Sequence, residues 1–228
     1  MELDLTPLYI SLKTAFIATV ITFFLGILLA RWMVFCRGKG KVLIDGLIIM
    51  PMVLPPTVVG FLLLIILGKN GIIGQLLNKL GTSIVFSWTA AVITATVVAL
   101  PLMYKTAKGA FEQIDMNIVD AAKTLGVSNW NIFWKVILPL SYPGIYAGII
   151  LSFARALGEF GATLMLAGNI PGKTQTIPIA IFFAVESGDM NTAYLWVAII
   201  MFISLSAIIS MNYWNQKQSK YKYNSRGI

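Results

Sequence analysis

The chain of 228 residues contains no histidine and a single cysteine. Without histidine it lacks the commonest metal ligand and the side chain that most readily carries protons near neutral pH. Cys36 has no second cysteine with which to form an intrachain disulfide. We therefore expect neither a metal site nor a redox centre, and no cofactor bound by this chain.

Charged residues are also scarce, at 11% of the chain, whereas 58% of the residues are hydrophobic. A soluble domain carries about 25% charged residues, so this composition indicates an integral membrane protein that sits in a lipid bilayer. The apolar residues fall into long runs, each of about 20 residues or more, which is the length that a helix needs to cross about 30 Å of hydrocarbon. We expect an all-α polytopic membrane protein that forms one domain over residues 1–228.

Five apolar runs are long enough to span the membrane. They cover approximately residues 8–35, 45–68, 84–104, 142–167 and 191–213. An N-terminus outside the cell and a C-terminus in the cytoplasm place most of the 17 basic residues on the cytoplasmic side, as the positive-inside rule requires. The apolar segment 177–187 is too short to span, and we expect a surface or re-entrant helix on the outer side.

The formal charge of +8 does not indicate a nucleic-acid partner. The basic residues cluster at the ends of the apolar runs, and no basic stripe carries interleaved aromatic residues.

Prolines interrupt the second apolar run at Pro51, Pro55 and Pro56. Each removes a backbone donor and crowds the preceding turn, so we expect this helix to be kinked or broken midway. Such a break has two interpretations of equal weight: it lines a transport pathway, or it is a structural kink.

The fourth run contains two charged residues, Arg155 and Glu159. Charges inside a membrane span are costly unless they are paired or face water. Four residues apart, these two can pair on one helix face. The pair either fixes helix packing or contributes to a pathway.

A polar, helix-forming stretch at residues 110–139 separates the third and fourth runs. Asp115 is a good N-cap, and Gly126 suits the left-handed position after a helix end. Ile118, Ala121, Ala122 and Leu125 then share one helix face. Together these features predict a short capped amphipathic helix.

A second short helix is predicted to follow, capped by Ser128 and ended by Pro139. Trp130, Phe133 and Trp134 share one of its faces. The resulting two-helix knob either lies on lipid or docks into a groove of a soluble partner. The small side chains of the first helix favour close approach of a partner.

The run Asp120-Ala121-Ala122, followed by Gly126 and then Leu138-Pro139, resembles the EAA loop of ABC importer permeases. Asp120 stands where that loop usually has Glu, and Val136 where it usually has Ile. The resemblance implies a type I ABC importer permease fold in which residues 110–139 form the coupling loop. The coupling residues it implies are Asp115, Asp120, Ala121, Ala122, Leu125, Gly126, Trp130, Phe133, Leu138 and Pro139.

The stretch 154–178 and the proline-rich second run resemble molybdate permeases, and sulfate permeases less closely. The resemblance implies import of molybdate, or of tungstate or sulfate, by a homodimer with two ATPase subunits and an extracytoplasmic oxyanion-binding protein. ATP and Mg would then bind the ATPase and not this chain, which would not be an enzyme. The sequence Gly172-Lys173-Thr174 imitates the end of a phosphate-binding loop, but Ala167 stands where that loop needs its first glycine.

An ion-coupled secondary anion carrier is the alternative from a different class. Such a carrier would more naturally show inverted repeats and several carboxylates or histidines within its spans. Here Glu159 is the one acidic residue deep in an apolar run.

Overall fold

The computed structural model describes residues 4–35, 38 and 40–224, with side chains as far as Tyr213. Cys36 and the side chains of the basic tail lie outside the described residues. The described part is helical throughout, without strands, which confirms the all-α prediction. Its helices are α1 Thr6–Phe35, α2 Lys41–Val53, α3 Pro56–Leu67, α4 Ile72–Lys79, α5 Trp88–Glu112, α6 Met116–Thr124, α7 Asn129–Leu140, α8 Tyr142–Leu157, α9 Gly161–Ala167, α10 Ile177–Glu186 and α11 Met190–Asn224.

Three of the described helices are long and apolar enough to cross a bilayer alone: α1, α5 and the Met190–Tyr213 part of α11. Two bent helix pairs reach the same length together, α2 with α3 and α7 with α8. The described residues therefore accommodate up to five spans. Helix α5 continues to Glu112, so the polar stretch begins slightly later than the predicted residue 110. The segment between α3 and α5 contains the short helix α4.

The second run is broken, as predicted, but the break lies at Leu54–Pro55 and not at Pro51, which stays inside α2. Helices α2 and α3 meet there at 114°. Pro55 disfavours a helical conformation at Leu54, whose φ and ψ are −70° and 144°. Pro56 then begins α3, where a missing N–H has no helical partner to lose.

The fourth run is not the continuous helix that we predicted from residues 142 to 167. Helix α8 ends at Leu157, and α9 begins only at Gly161. The Glu159 carboxylate accepts a hydrogen bond from the Ala162 N–H at 2.9 Å, so it satisfies one of the free donors at the start of α9. The Glu159 side chain therefore connects α8 to α9.

The bundle has two distinguishable ends. At the far end, the end of α3, the start of α5 and the end of α9 share one apolar cluster that includes Leu67, Ala90 and Leu166. At the knob end, the last turns of α1 and α5 share a cluster with α6 and α7. Among the described helices, α1 and α5 form the pair with the most extensive contact.

Helix α10 is short, and one of its faces is buried in the bundle. Ile177, Ile179 and Ala180 are buried, and α10 packs against α1 and α11. The Ile177 N–H donates to Ser11 Oγ at 2.7 Å, which fixes α10 beside the first turns of α1.

Close backbone approach holds α3 against α9. A Cβ on Gly60 would lie only 2.7 Å from Ala162 Cα, a distance that real Cβ contacts do not show. Helices in membranes associate largely through such small-residue packing, because lipid removes the hydrophobic drive between them.

Gly60→Ala is therefore expected to lower the stability of the purified protein by about 1–3 kcal/mol through overpacking. Gly46→Ala is the matched control, because an added Cβ there meets nothing within 4 Å. Thermal unfolding in detergent measures both variants. Equal melting temperatures for the two would contradict the packing that we describe.

Candidate functional site

The first knob helix has both predicted caps. Asp115 accepts a hydrogen bond from the Asn117 N–H at 2.9 Å at its start. At its end Gly126 takes the left-handed conformation, with φ +77°, and its N–H donates to the Lys123 carbonyl at 2.9 Å. The chain therefore leaves α6 through a turn that local hydrogen bonds close.

The second knob helix also starts as predicted, since Ser128 Oγ accepts from the Asn131 N–H at 3.4 Å. It does not end at Pro139. The helix passes through a π-helical turn, in which the Leu138 N–H reaches back to the Phe133 carbonyl, and continues to Leu140. Pro139 stands where α-helical pairing restarts and a missing N–H is tolerated. The real break is a 72° bend after Leu140.

One face of the knob is anchored in the bundle. Val119, Ile132 and Phe133 are each at most 3% exposed and pack on the last turns of α1 and α5. The Phe133 ring meets the Phe111 ring edge-on, with centroids 5.6 Å apart. Phe133 is therefore an anchor, and it does not share the exposure of its predicted partners Trp130 and Trp134.

The opposite face of α6 is free in this chain. Ile118 is 45% exposed and Leu125 is 83% exposed, and Ala121 between them is also exposed. Ala122 is half-buried against the core. Asp120 and Lys123 pair at 2.8 Å on the surface, an exposed pair that contributes little stability.

Helix α7 presents two exposed tryptophans of its own. Trp130 and Trp134 are 56% and 45% exposed, and their rings touch with centroids 5.7 Å apart. Aromatic residues are enriched at the centres of protein interfaces. A capped, rigid knob with an exposed apolar face can act as a docking element.

The structure brings together the second group of predicted residues, those of the helix breaks. A Cβ on Gly161 would lie 3.2 Å from Pro56 Cβ and 3.2 Å from Thr57 Cγ2. The break before α3 and the break before α9 are thus neighbours within the bundle. Irregular backbone at membrane depth is tolerated where protein or a water-filled cavity meets it.

Beside these breaks Arg155 and Glu159 form the predicted ion pair. Arg155 Nη1 lies 2.8 Å from Glu159 Oε2, with side chains 31% and 1% exposed. Because Glu159 lies beyond the end of α8, the pair links the two halves of the fourth run. The spacing predicted that the pair lies on one face of a continuous helix, but the helix ends between the two residues, at Leu157.

A polar cluster that sequence reasoning missed joins α2 to α5. Lys108 Nζ lies 2.8 Å from both carboxylate oxygens of Asp45, and the Tyr104 hydroxyl donates to the same carboxylate. Helix α2 has no fully buried residue of its own, so this cluster is its main polar attachment. Because Lys108 is 63 residues from Asp45, the local sequence around either residue could not predict their pairing.

Asp45→Asn is expected to destabilise the protein by about 2 kcal/mol, because a hydrogen-bonded charge loses its partner. The exchanged pair Asp45→Lys with Lys108→Asp should recover at least half of the loss. Thermal unfolding measures all three proteins. No loss in the single variant would contradict an anchoring role for the cluster.

These features define a helical, multi-pass membrane protein with a capped two-helix knob at one end of its bundle. Among the described residues no group of three or more cysteine, aspartate or glutamate side chains could hold a metal ion. The chain belongs to the family of binding-protein-dependent transport system inner membrane components, whose model matches residues 12–220.

Relatives share this sequence over most of its length. A molybdenum transport system permease protein of Escherichia coli strain K12 is 41% identical over 204 residues, or 88% of this chain and 89% of the relative. A Bacillus subtilis protein provisionally named as a molybdenum transport system permease is 48% identical over 200 residues, or 87% and 88% of the two chains. The resemblance to ABC importer permeases is thus confirmed.

The fold has solved counterparts. The structure of a bacterial ABC transporter involved in the import of the acidic polysaccharide alginate matches with a TM-score of 0.75 at 15% identity, over 93% of this chain and 79% of that one. The ABC importer permease fold that we predicted is therefore confirmed.

Proposed function

We propose that this chain is the membrane-spanning permease subunit of an ATP-driven importer of molybdate. The observation that carries the proposal is the similarity over nearly nine-tenths of the chain to relatives that bear the name of molybdenum transport permeases. The capped knob with its exposed apolar face supplies the physical means of coupling to an ATPase.

The assembly that we propose contains two copies of this chain, two ATPase subunits and an extracytoplasmic binding protein. ATP and Mg bind the ATPase, and this chain binds no nucleotide. The knob lies in the cytoplasm, with the N-terminus outside. Ile118, Ala121 and Leu125 present the apolar surface that the ATPase would cover.

Motion of the knob would reach the membrane helices through packed side chains. Val119 and Phe133 attach the knob to the last turns of α1 and α5, so a displacement of the knob moves those helices with it. Helix α2 follows through the Asp45–Lys108 pair. The helix break that ends α2 adjoins the break before α9, so irregular backbone lies where α3 and α9 meet.

The ion pair beside the breaks would let an anion pass without binding it tightly. Arg155 alone would attract an oxyanion strongly. Glu159 at 2.8 Å offsets that attraction, so the anion meets no deep trap inside the membrane. Capture and discrimination of the anion are then left to the binding protein.

Co-purification tests whether the transporter is ATP-driven or a secondary carrier. We expect an ATPase subunit to be retained with the permease through detergent extraction. Absence of an ATPase, together with uptake driven by an ion gradient, would instead indicate a secondary carrier.

Competition tests the substrate. Molybdate, tungstate and sulfate share charge and tetrahedral shape, so tungstate and sulfate permeases are the alternative outcomes. We expect unlabelled molybdate to suppress uptake of labelled molybdate at lower concentration than sulfate does. The reverse order would assign the chain to sulfate.

A further inference from the structure

A groove of about 710 Å³ lies at the knob end between the last turns of α1 and the knob. Its wall combines apolar and polar side chains. These include Leu28, Arg31, Trp32 and Phe35 from α1, with Lys123 and Asn129 from the knob. The groove belongs neither to the exposed face of α6 nor to the helix breaks.

Arg31 is the distinctive group in this groove. Its guanidinium carbon lies 4.3 Å from the centroid of the Trp130 ring and 4.5 Å from that of Phe133. No carboxylate of the described residues pairs with it, whereas Lys123 is already paired with Asp120. Stacking holds the guanidinium plane and leaves its edge N–H groups free to bind a phosphate in a bidentate manner.

The α1 wall of the groove places one cation, Arg31, among apolar side chains. Leu28, Arg31, Trp32 and Phe35 recur at the spacing of one helix face. Leu28 lies three residues before Arg31, about 4.5 Å further from the end of α1 at 1.5 Å per residue. A molecule that fits this wall has an anionic head and an apolar tail.

We propose that the groove binds one anionic phospholipid, with its phosphate on Arg31 and an acyl chain along Leu28. A partner on the exposed face of α6 leaves this site open. Val119 and Lys123 face the groove, and at about 100° per residue they lie about 100° or more around the helix from Ile118 and Leu125. The lipid would thus brace the knob against α1 beside the face of α6 that docks the partner.

Native mass spectrometry of the detergent-solubilised transporter complex tests the site with phosphatidylglycerol as the probe. We expect one tightly retained phosphatidylglycerol per permease chain, at least tenfold weaker retention in Arg31→Gln, and intermediate retention in Arg31→Lys. Lys135→Gln is the matched control, because Lys135 is an exposed cation of the knob outside the groove. Equal losses in Arg31→Gln and Lys135→Gln would overturn the proposal in favour of diffuse surface charge.

A photo-crosslinking amino acid at Phe35 gives a second test that leaves Arg31 intact. Phe35 lines the groove and is 51% exposed. We expect an adduct with phosphatidylglycerol in vesicles that contain phosphatidylglycerol and phosphatidylcholine. An adduct with the ATPase subunit, or equal labelling of both lipids, would overturn the proposal.

Discussion

Replacing Leu125 with aspartate is expected to release the ATPase subunit while leaving the permease folded. Leu125 is 83% exposed in the chain, so the change costs the permease little packing. If Leu125 fills an apolar groove of the ATPase, the buried charge should cost at least about 2 kcal/mol of binding energy, or roughly 30-fold in affinity. Binding of the purified ATPase to the permease in nanodiscs measures the effect.

Leu80→Asp supplies the matched control for this experiment. Leu80 is 76% exposed and follows α4, in the segment that joins α3 to α5 at the far end. The two variants add the same charge at equally exposed leucines. Unchanged ATPase affinity in Leu125→Asp, or equal losses in both variants, would contradict the docking role of the α6 face.

Replacing Glu159 with alanine is expected to lower both stability and anion uptake. The change removes the partner of Arg155 and the acceptor of the Ala162 N–H. Breaking a fully buried pair costs about 3–5 kcal/mol, and we expect about 2 kcal/mol because Arg155 is 31% exposed. We expect a lower melting temperature in thermal unfolding and an uptake rate at least tenfold lower.

Glu159→Gln separates the two roles of this carboxylate. The amide oxygen can still accept from the Ala162 N–H, whereas the charge is lost. The single variant leaves Arg155 unpaired, and combining it with Arg155→Met removes both charges. Replacing a buried pair in this way is often neutral for stability.

The double variant therefore decides between packing and pathway. Because Glu159 is only 1% exposed, we expect the double variant to regain stability and to transport within about threefold of the unaltered protein. Restored stability with uptake still abolished would show that these charges act on the anion.

Features that depend on neighbouring residues could be predicted from the sequence. The caps at Asp115, Gly126 and Ser128 are set by hydrogen bonds that span two or three residues. Spans follow from run length alone, because a membrane demands about 20 apolar residues per helix. The adjacent residues Pro55 and Pro56 likewise predicted the break before α3.

Features that depend on distant partners could not be predicted in this way. The run from 142 to 167 contains no proline at its break, and the interruption rests on how Glu159 caps α9. The pairing of Asp45 with Lys108 crosses 63 residues. Periodicity alone also left open which side of an amphipathic segment meets its own bundle. Phe133 was thus grouped with residues that it does not resemble in burial.

Reconstitution tests the central proposal most directly. The permease, its ATPase and the binding protein would be placed in proteoliposomes with labelled molybdate outside and ATP inside. We predict accumulation of molybdate that requires ATP and the binding protein and survives collapse of the ion gradients. Accumulation without ATP, driven by an imposed ion gradient, would contradict the account.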